Sequence, residues 1–258
     1  KKNGITLAVG DMVELEVLQD GDAVINAIEP RKNHFIRPPI ANVDRFIVVT
    51  AAAKPKPNYL VIDKFLIMAQ MHHIEPVLCI NKTDLVSEDH LQELKAVYQD
   101  VCPVVCVSGE TGAGIEALKP YVHGCRVAFA GPSGVGKSTI TNLLIPQANM
   151  ETGTVSEKTA RGRHTTRHVE IFASGEGGYV FDTPGFTSFD ILEAGEEHLG
   201  EYYPDIARFQ DTCRFDNCRH MKEPDCAVRD AVEKGYIHPL RYASYTAMME
   251  EIRKKKRY

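Results

Sequence analysis

The segment Val127-Ala128-Phe129-Ala130-Gly131-Pro132-Ser133-Gly134-Val135-Gly136-Lys137-Ser138-Thr139 restricts what this chain can fold into more than any other stretch. Its apolar half is of strand type and stops at Gly131. A glycine-rich turn follows, and a helical pattern runs from Thr139 to Leu144. This is G-x-x-x-x-G-K-S in the strand–loop–helix setting that the motif requires. Glycines let backbone N–H groups converge on phosphate oxygens without Cβ clashes. The helix N-terminus adds the positive end of its dipole. Lys137 is expected to reach the β- and γ-phosphates and so to act in catalysis, and Ser138 to ligate Mg²⁺.

Around this segment β and α patterns alternate. Arg45–Thr50 is a continuous apolar run, the kind buried on both faces of a parallel sheet. Leu60–Met71 has helical spacing, Pro76–Ile80 is a strand, and Glu88–Gln99 is an amphipathic helix. Val104–Val107 is a further strand and Gly114–Tyr121 a short helix; strands are predicted again at His168–Ala173 and Gly178–Phe181. Alternation of this type predicts an α/β fold, a doubly wound sheet with ligands at the carboxyl ends of its strands.

The flanks read differently. Met12–Val17 alternates apolar and acidic residues, Gln19–Asp22 is a turn, Ala23–Ile28 is a second strand, and Pro38-Pro39 closes the segment. Two or three strands cannot close a barrel. Residues 1–41 are therefore expected to be part of a small OB-type barrel that lacks its first strands. Strand patterns stop after Phe186. Residues 190–258 are read as a small α-helical domain around a metal, with helices near Cys226–Lys234 and Pro239–Lys256. The expected boundaries are 1–41, 42–189 and 190–258.

Base choice is read from Asn81-Lys82-Thr83-Asp84. A carboxylate only accepts hydrogen bonds. Asp84 suits guanine N1–H and N2–H₂ and would face an acceptor at N1 of adenine. The Lys82 stem would lie over the purine, and Asn81 would tie this loop to the phosphate loop. Ser108-Gly109 would present backbone N–H groups to guanine O6. In Asp182-Thr183-Pro184-Gly185, Asp182 is expected to hold Mg²⁺ through water and the Gly185 N–H to meet the γ-phosphate. Ser156–Arg167 has the composition of a mobile loop. Thr166 is the expected switch threonine on Mg²⁺, with Thr165 as the near alternative.

Cys213-x₄-Cys218-x-His220-x₅-Cys226 supplies three thiolates and one imidazole, a closed set suited to structural Zn²⁺. Residues 203–226 are mostly polar, so metal is expected to supply their folding energy. Cys79, Cys102, Cys106 and Cys125 are read as small core residues.

The motif order is permuted. In Ras-like GTPases the phosphate loop, switch threonine and D-x-x-G precede N-K-x-D. Here N-K-x-D and the Ser108 loop come first. The D-x-x-G segment then runs directly into the C-terminal domain, so tightening around GTP should pull on that domain.

This order, with the β-rich start and the C-terminal cysteines, resembles the ribosome small-subunit-dependent GTPase A (RsgA) family. The pieces that carry the resemblance are Arg37-Pro38-Pro39-Ile40-Ala41-Asn42-Val43-Asp44, Gly131–Ser138, Gly162-Arg163-His164-Thr165-Thr166-Arg167 and the cysteine cluster. The resemblance implies an OB-fold, a circularly permuted Ras-like P-loop GTPase domain and a zinc domain. It also implies GTP hydrolysis to GDP, stimulated by the small ribosomal subunit, in late assembly of that subunit.

Phe186 follows D-x-x-G where Ras carries the glutamine that orients water. A phenyl ring cannot do this. His164, two residues from Thr166, is the candidate, and the resemblance favours it; a surface or RNA-facing imidazole is the alternative.

A net charge of −5 argues against generic polyanion binding, so RNA contact must come from local patches. Lys158, Arg161, Arg163 and Arg167 are read as rRNA phosphate contacts. Arg253–Arg257 fits a solvated face equally well. Seven cysteines in such a chain point to reduced thiols in the cytoplasm. No apolar run approaches the ~20 residues of a membrane span, and a monomer is expected. Two other functions stay open: a GTP-gated RNA-binding module, and a GTPase that delivers metal. Closed Cys₃His coordination counts against delivery.

Overall fold

The computed structural model describes residues 6–19, 21–36, 38–148, 169–182 and 194–255. Its centre is a six-stranded sheet in the order β7-β6-β5-β8-β10-β9. The strands are β5 (Arg45–Ala51), β6 (Glu75–Asn81), β7 (Val104–Cys106), β8 (Arg126–Ala130), β9 (Glu170–Gly175) and β10 (Gly178–Asp182). β7, β6, β5, β8 and β10 run parallel. β9 is antiparallel because it joins β10 through a hairpin with Gly175 and Gly177 at φ +89° and +77°.

The apolar runs are continuous because both faces are covered. Phe46 and Val48 point into one core with Leu78, Ala128 and Phe181. That core is closed by α1 (Tyr59–Met71) and α2 (Glu88–Ala96). Ile47 and Val49, one residue out of phase, join Val77, Val127, Phe129 and Val180 in the other. α3 (Ile115–Leu118) and α4 (Lys137–Leu144) cover that side. Each such side chain stabilises the sheet by roughly 1.5–3 kcal/mol.

Several boundaries differ from expectation. α2 ends at Ala96 rather than Gln99, and the chain turns there to bury Val97, Tyr98 and Cys102. The predicted helix over 114–121 divides into α3 and a 3₁₀ turn at Lys119–Tyr121. Pro120 has no N–H for an α-helical bond, which accounts for the break. Cys79 and Cys102 are buried, whereas Cys106 and Cys125 are half-buried at the sheet margin.

At the N-terminal end β1 (Val13–Val17) and β2 (Ala23–Ile28) form one hairpin, and β3 (His34–Ile36) and β4 (Pro39–Ala41) a second. Pro39 thus opens a strand that the sequence does not announce. The alternation in β1 predicts one buried face. Instead Leu15 and Val17 are 57% and 74% exposed, because among the described residues the hairpin packs on no second sheet. The unit is nevertheless tied to the large sheet. Asn42 Nδ2 donates to the Gly10 carbonyl, and the Lys32 ammonium donates to Asp44 Oδ1 while Asp44 Oδ2 accepts the Arg126 N–H of β8.

The C-terminal part holds α5 (Pro204–Gln210), α6 (Ala227–Glu233) and α7 (Pro239–Lys255) around a third core that includes Leu199, Tyr203, Ile206, Val228 and Met248. α5 lies inside the stretch to which metal is expected to supply folding energy. Tyr203 and Ile206 are fully buried and anchor it. α7 packs along α1, and Ile67 of α1 belongs to this core. No helix among the described residues is long and apolar enough to cross a membrane.

Candidate nucleotide and metal sites

The loops after β6, β7 and β8 meet at one edge of the sheet, and β10 ends there at Asp182. Crossing from β8 to α4 demands two glycines for different reasons. A Cβ at Gly131 (φ +139°) would lie 2.2 Å from the Val49 carbonyl of the neighbouring strand. A Cβ at Gly136 (φ +98°) would lie 2.2 Å from Asn81 Nδ2. Gly134 stands in open space, exposed like Ser133, while Val135 is buried beneath the loop. Pro132, Ser138 and Thr139 are half-buried.

Asn81 is 2% exposed and joins all three loops. Its Nδ2 donates to the Val135 carbonyl at 2.8 Å, and its Oδ1 accepts the Gly109 N–H at 2.9 Å. The Lys82 ammonium donates to the Gly134 carbonyl at 2.8 Å and to the Lys54 carbonyl. Thr83 Oγ1 donates to the Val107 carbonyl, which fixes the turn to β7. Asp84 Oδ1 accepts the Ser108 hydroxyl at 2.5 Å. Lys137 Nζ donates to the Gly131 and Pro132 carbonyls at 2.7 and 2.9 Å, within its own loop.

The Ser108 and Gly109 N–H groups expected at guanine O6 have partners within the protein. The Ser108 N–H already donates to the Ala113 carbonyl, and the Gly109 N–H to Asn81. Their internal bonds shape the loop, so the pair does not present two unused donors to guanine O6. The Lys54 carbonyl is a contributor that sequence reasoning missed, because a backbone acceptor leaves no mark in residue type. His164, Thr165, Thr166, Gly185 and Phe186 lie outside the described residues, as do Lys158, Arg161, Arg163 and Arg167.

The second site lies in the C-terminal part. One ligand atom each from Cys213, Cys218, His220 and Cys226 falls within 4.8 Å of the others. His220 Nδ1 is 3.5 Å from both Cys213 Sγ and Cys226 Sγ, and those sulfurs are 3.9 Å apart. Edges of about 3.5–3.8 Å are what a tetrahedron with Zn–S near 2.3 Å and Zn–N near 2.0 Å requires. The donor set therefore fits one four-coordinate ion. Burial pushes His220 below its ordinary value, which favours the neutral, ligating imidazole. Burial pushes the Cys218 thiol up to about 12, a cost that a cation at the centre would offset. The Glu223 carboxylate accepts the Arg219, Met221 and Lys222 N–H groups and shapes the intervening turn. Tyr242 and Tyr245 of α7 hydrogen-bond the His220 and Arg219 carbonyls.

Comparison with known proteins agrees with this architecture. Residues 28–192 match the RsgA GTPase family pattern. The chain belongs to the RsgA GTPase family. All of it aligns, at 43% identity, with 87% of a small ribosomal subunit biogenesis GTPase RsgA from Caldanaerobacter subterraneus. A Bacillus anthracis protein of the same name is 41% identical over 99% of this chain and 88% of its own. Among solved structures, YjeQ from Thermotoga maritima superposes with a TM-score of 0.84 at 38% identity, covering 96% of this chain and 85% of that one. YloQ, described as a circularly permuted GTPase, gives 0.82 at 35%, covering 99% and 84%. The permuted order of the RsgA family is thus present here.

Proposed function

We propose that this chain hydrolyses GTP to GDP and phosphate and acts in the biogenesis of the small ribosomal subunit. The observation that carries this reading is the Asn81 junction. It brings N-K-x-D, the Ser108 loop and the phosphate loop to one edge, in a chain that aligns from end to end with RsgA GTPases. Asp84 selects guanine, oriented by the Ser108 hydroxyl; Lys82 covers the purine; Asn81 and Thr83 hold the loop. Gly131, Pro132, Ser133, Gly134, Val135, Gly136 and Thr139 form the cradle, and Lys137 neutralises charge on the transferred phosphate. Ser138, Thr166 and Asp182 would hold Mg²⁺, which would supply charge neutralisation at the transferred phosphate, and Gly185 senses the γ-phosphate. His164 orients the attacking water when the particle is bound.

Cys213, Cys218, His220 and Cys226 hold one structural Zn²⁺; the close tetrahedral spacing of their ligand atoms supports this. Residues 1–41 act as an OB-type unit, 42–189 as the permuted GTPase domain and 190–258 as the zinc domain. The partners are the small subunit and its rRNA, and the protein works as a cytoplasmic monomer. The deciding experiment is turnover with and without purified small subunits. Stimulation of tenfold or more is expected. Turnover that subunits leave unchanged would favour a GTP-gated RNA-binding module. The His164→Ala variant should keep GTP affinity and lose stimulated turnover; full stimulation in that variant removes His164 from the mechanism.

A further inference from the structure

Arg241 is an arginine 1% exposed. Its Nε and Nη2 donate to Asp205 Oδ2 and Oδ1 at 3.0 and 2.9 Å, a bidentate fork. Its Nη1 donates to Asp63 Oδ1. The guanidinium lies 4.6 Å from the Tyr203 ring centroid and 5.5 Å from that of Tyr98. Asp63 and Asp205 are 0% and 5% exposed. These charges come from three elements. Asp63 is on α1, which covers the nucleotide-binding sheet. Asp205 and Arg241 are on α5 and α7 of the C-terminal part.

Stability alone does not account for this arrangement. Well-packed apolar side chains of the same volume hold such a seam as well or better, because burying ions costs more than their attraction returns. Among the described residues, Asp63 Oδ2 and the Tyr98 hydroxyl make no hydrogen bond of good geometry, although the two side chains lie close together. What a planar fork supplies is direction. Two packed apolar helices can settle in registers one turn apart. A guanidinium that must meet one carboxylate edge-on and another end-on accepts a single register.

We propose that the Arg241–Asp63–Asp205 triad is a registration pin: it sets the orientation of the metal-bearing C-terminal part on α1 of the nucleotide sheet, and activation by the small subunit depends on that orientation. The second half rests on the function proposed above. A ribosomal particle that touches both parts at once can stimulate turnover only if their spacing is fixed. Nucleotide affinity and basal turnover do not depend on the pin, because none of the three residues reaches the phosphate or base loops. Arg241 is therefore a positioning residue.

The test uses the full zinc-loaded chain with Asp63→Leu, Asp205→Leu and Arg241→Met together. Spin labels on non-natural residues at the exposed positions Glu116 and Glu233 report the distance between the two parts. The triple variant is expected to fold with an unchanged or higher Tm, and to keep GDP affinity and basal turnover within about twofold. Its distance distribution should broaden by about 5 Å, the rise of one helical turn. Its stimulation by small subunits should fall tenfold or more. A distribution that matches wild type overturns the pin, and retained stimulation overturns its role in activation. If wild type itself shows no stimulation, the proposed function fails, and the distance measurement alone decides the pin. If the triple variant does not fold, Arg241→Lys keeps the charge and removes the fork; a wild-type distribution there overturns the proposal.

Discussion

Asp84 illustrates how one side chain acquires its role. The carboxylate would be a mobile surface group but for the Ser108 hydroxyl, which binds Oδ1 and orients its plane. Asp84→Asn places a donor where guanine presents N–H groups. Calorimetry should show GDP affinity lowered by about 100-fold or more, with xanthosine diphosphate gaining. Gly136 is constrained twice, by its φ of +98° and by Asn81 Nδ2, 2.2 Å from where a Cβ would stand. Gly136→Ala should displace Asn81 and so unlink three loops. Thermal unfolding is expected to show a loss of about 2 kcal/mol, with GDP titration showing loss of binding. Both positions are legible from residue type, because motif spacing encodes them. The Lys54 carbonyl that steadies Lys82 is not, since any residue would supply it.

Among the elements, α1 joins two cores. It is apolar nearly all round because the sheet packs on one side and α7 on the other. Asp63 is the one carboxylate in that run and is fully buried, unlike its neighbour Lys64, so a partner for it is to be expected. The partner itself, 178 residues away in sequence, is not readable. Burial raises the Asp63 carboxyl to about 6, against the attraction of Arg241, which Asp205 helps to keep charged. A raised carboxyl binds its proton more tightly in the folded state. Its stabilising contribution is therefore complete below about pH 4 and lost as pH rises through about 6. The stability difference between wild type and Asp63→Asn should change across that window by roughly 3 kcal/mol at most, at about 1.4 kcal/mol per pH unit. Urea unfolding of both proteins at pH 4, 5, 6 and 7 measures it; a constant difference would contradict the assignment.

At the scale of the molecule, the C-terminal part is held by metal ligands and apolar packing together. Cys218 and Cys226 sit within the same core as Tyr203, Met248 and Ile252. Stripping metal with a strong chelator, or replacing Cys218 by Ser, should lower the apparent Tm by about 10 °C. GDP affinity should persist, because the nucleotide loops hang on the other two cores. Loss of GDP binding together with the metal would show that the sheet needs the C-terminal part to fold.

The division between what was readable and what was not follows from range. The phosphate loop, N-K-x-D, the metal ligands and the strand runs are local patterns, a few residues apart, and backbone sterics and side-chain chemistry act at that distance. From these the chain alone determined a permuted α/β nucleotide fold with a Cys₃His site. Which N–H groups of the Ser108 loop are already bonded, how α5 gains its anchor, and where Arg241 finds two carboxylates are settled only when distant segments meet. Tertiary structure decided those, because a buried polar group takes whatever partner packing brings within about 3 Å.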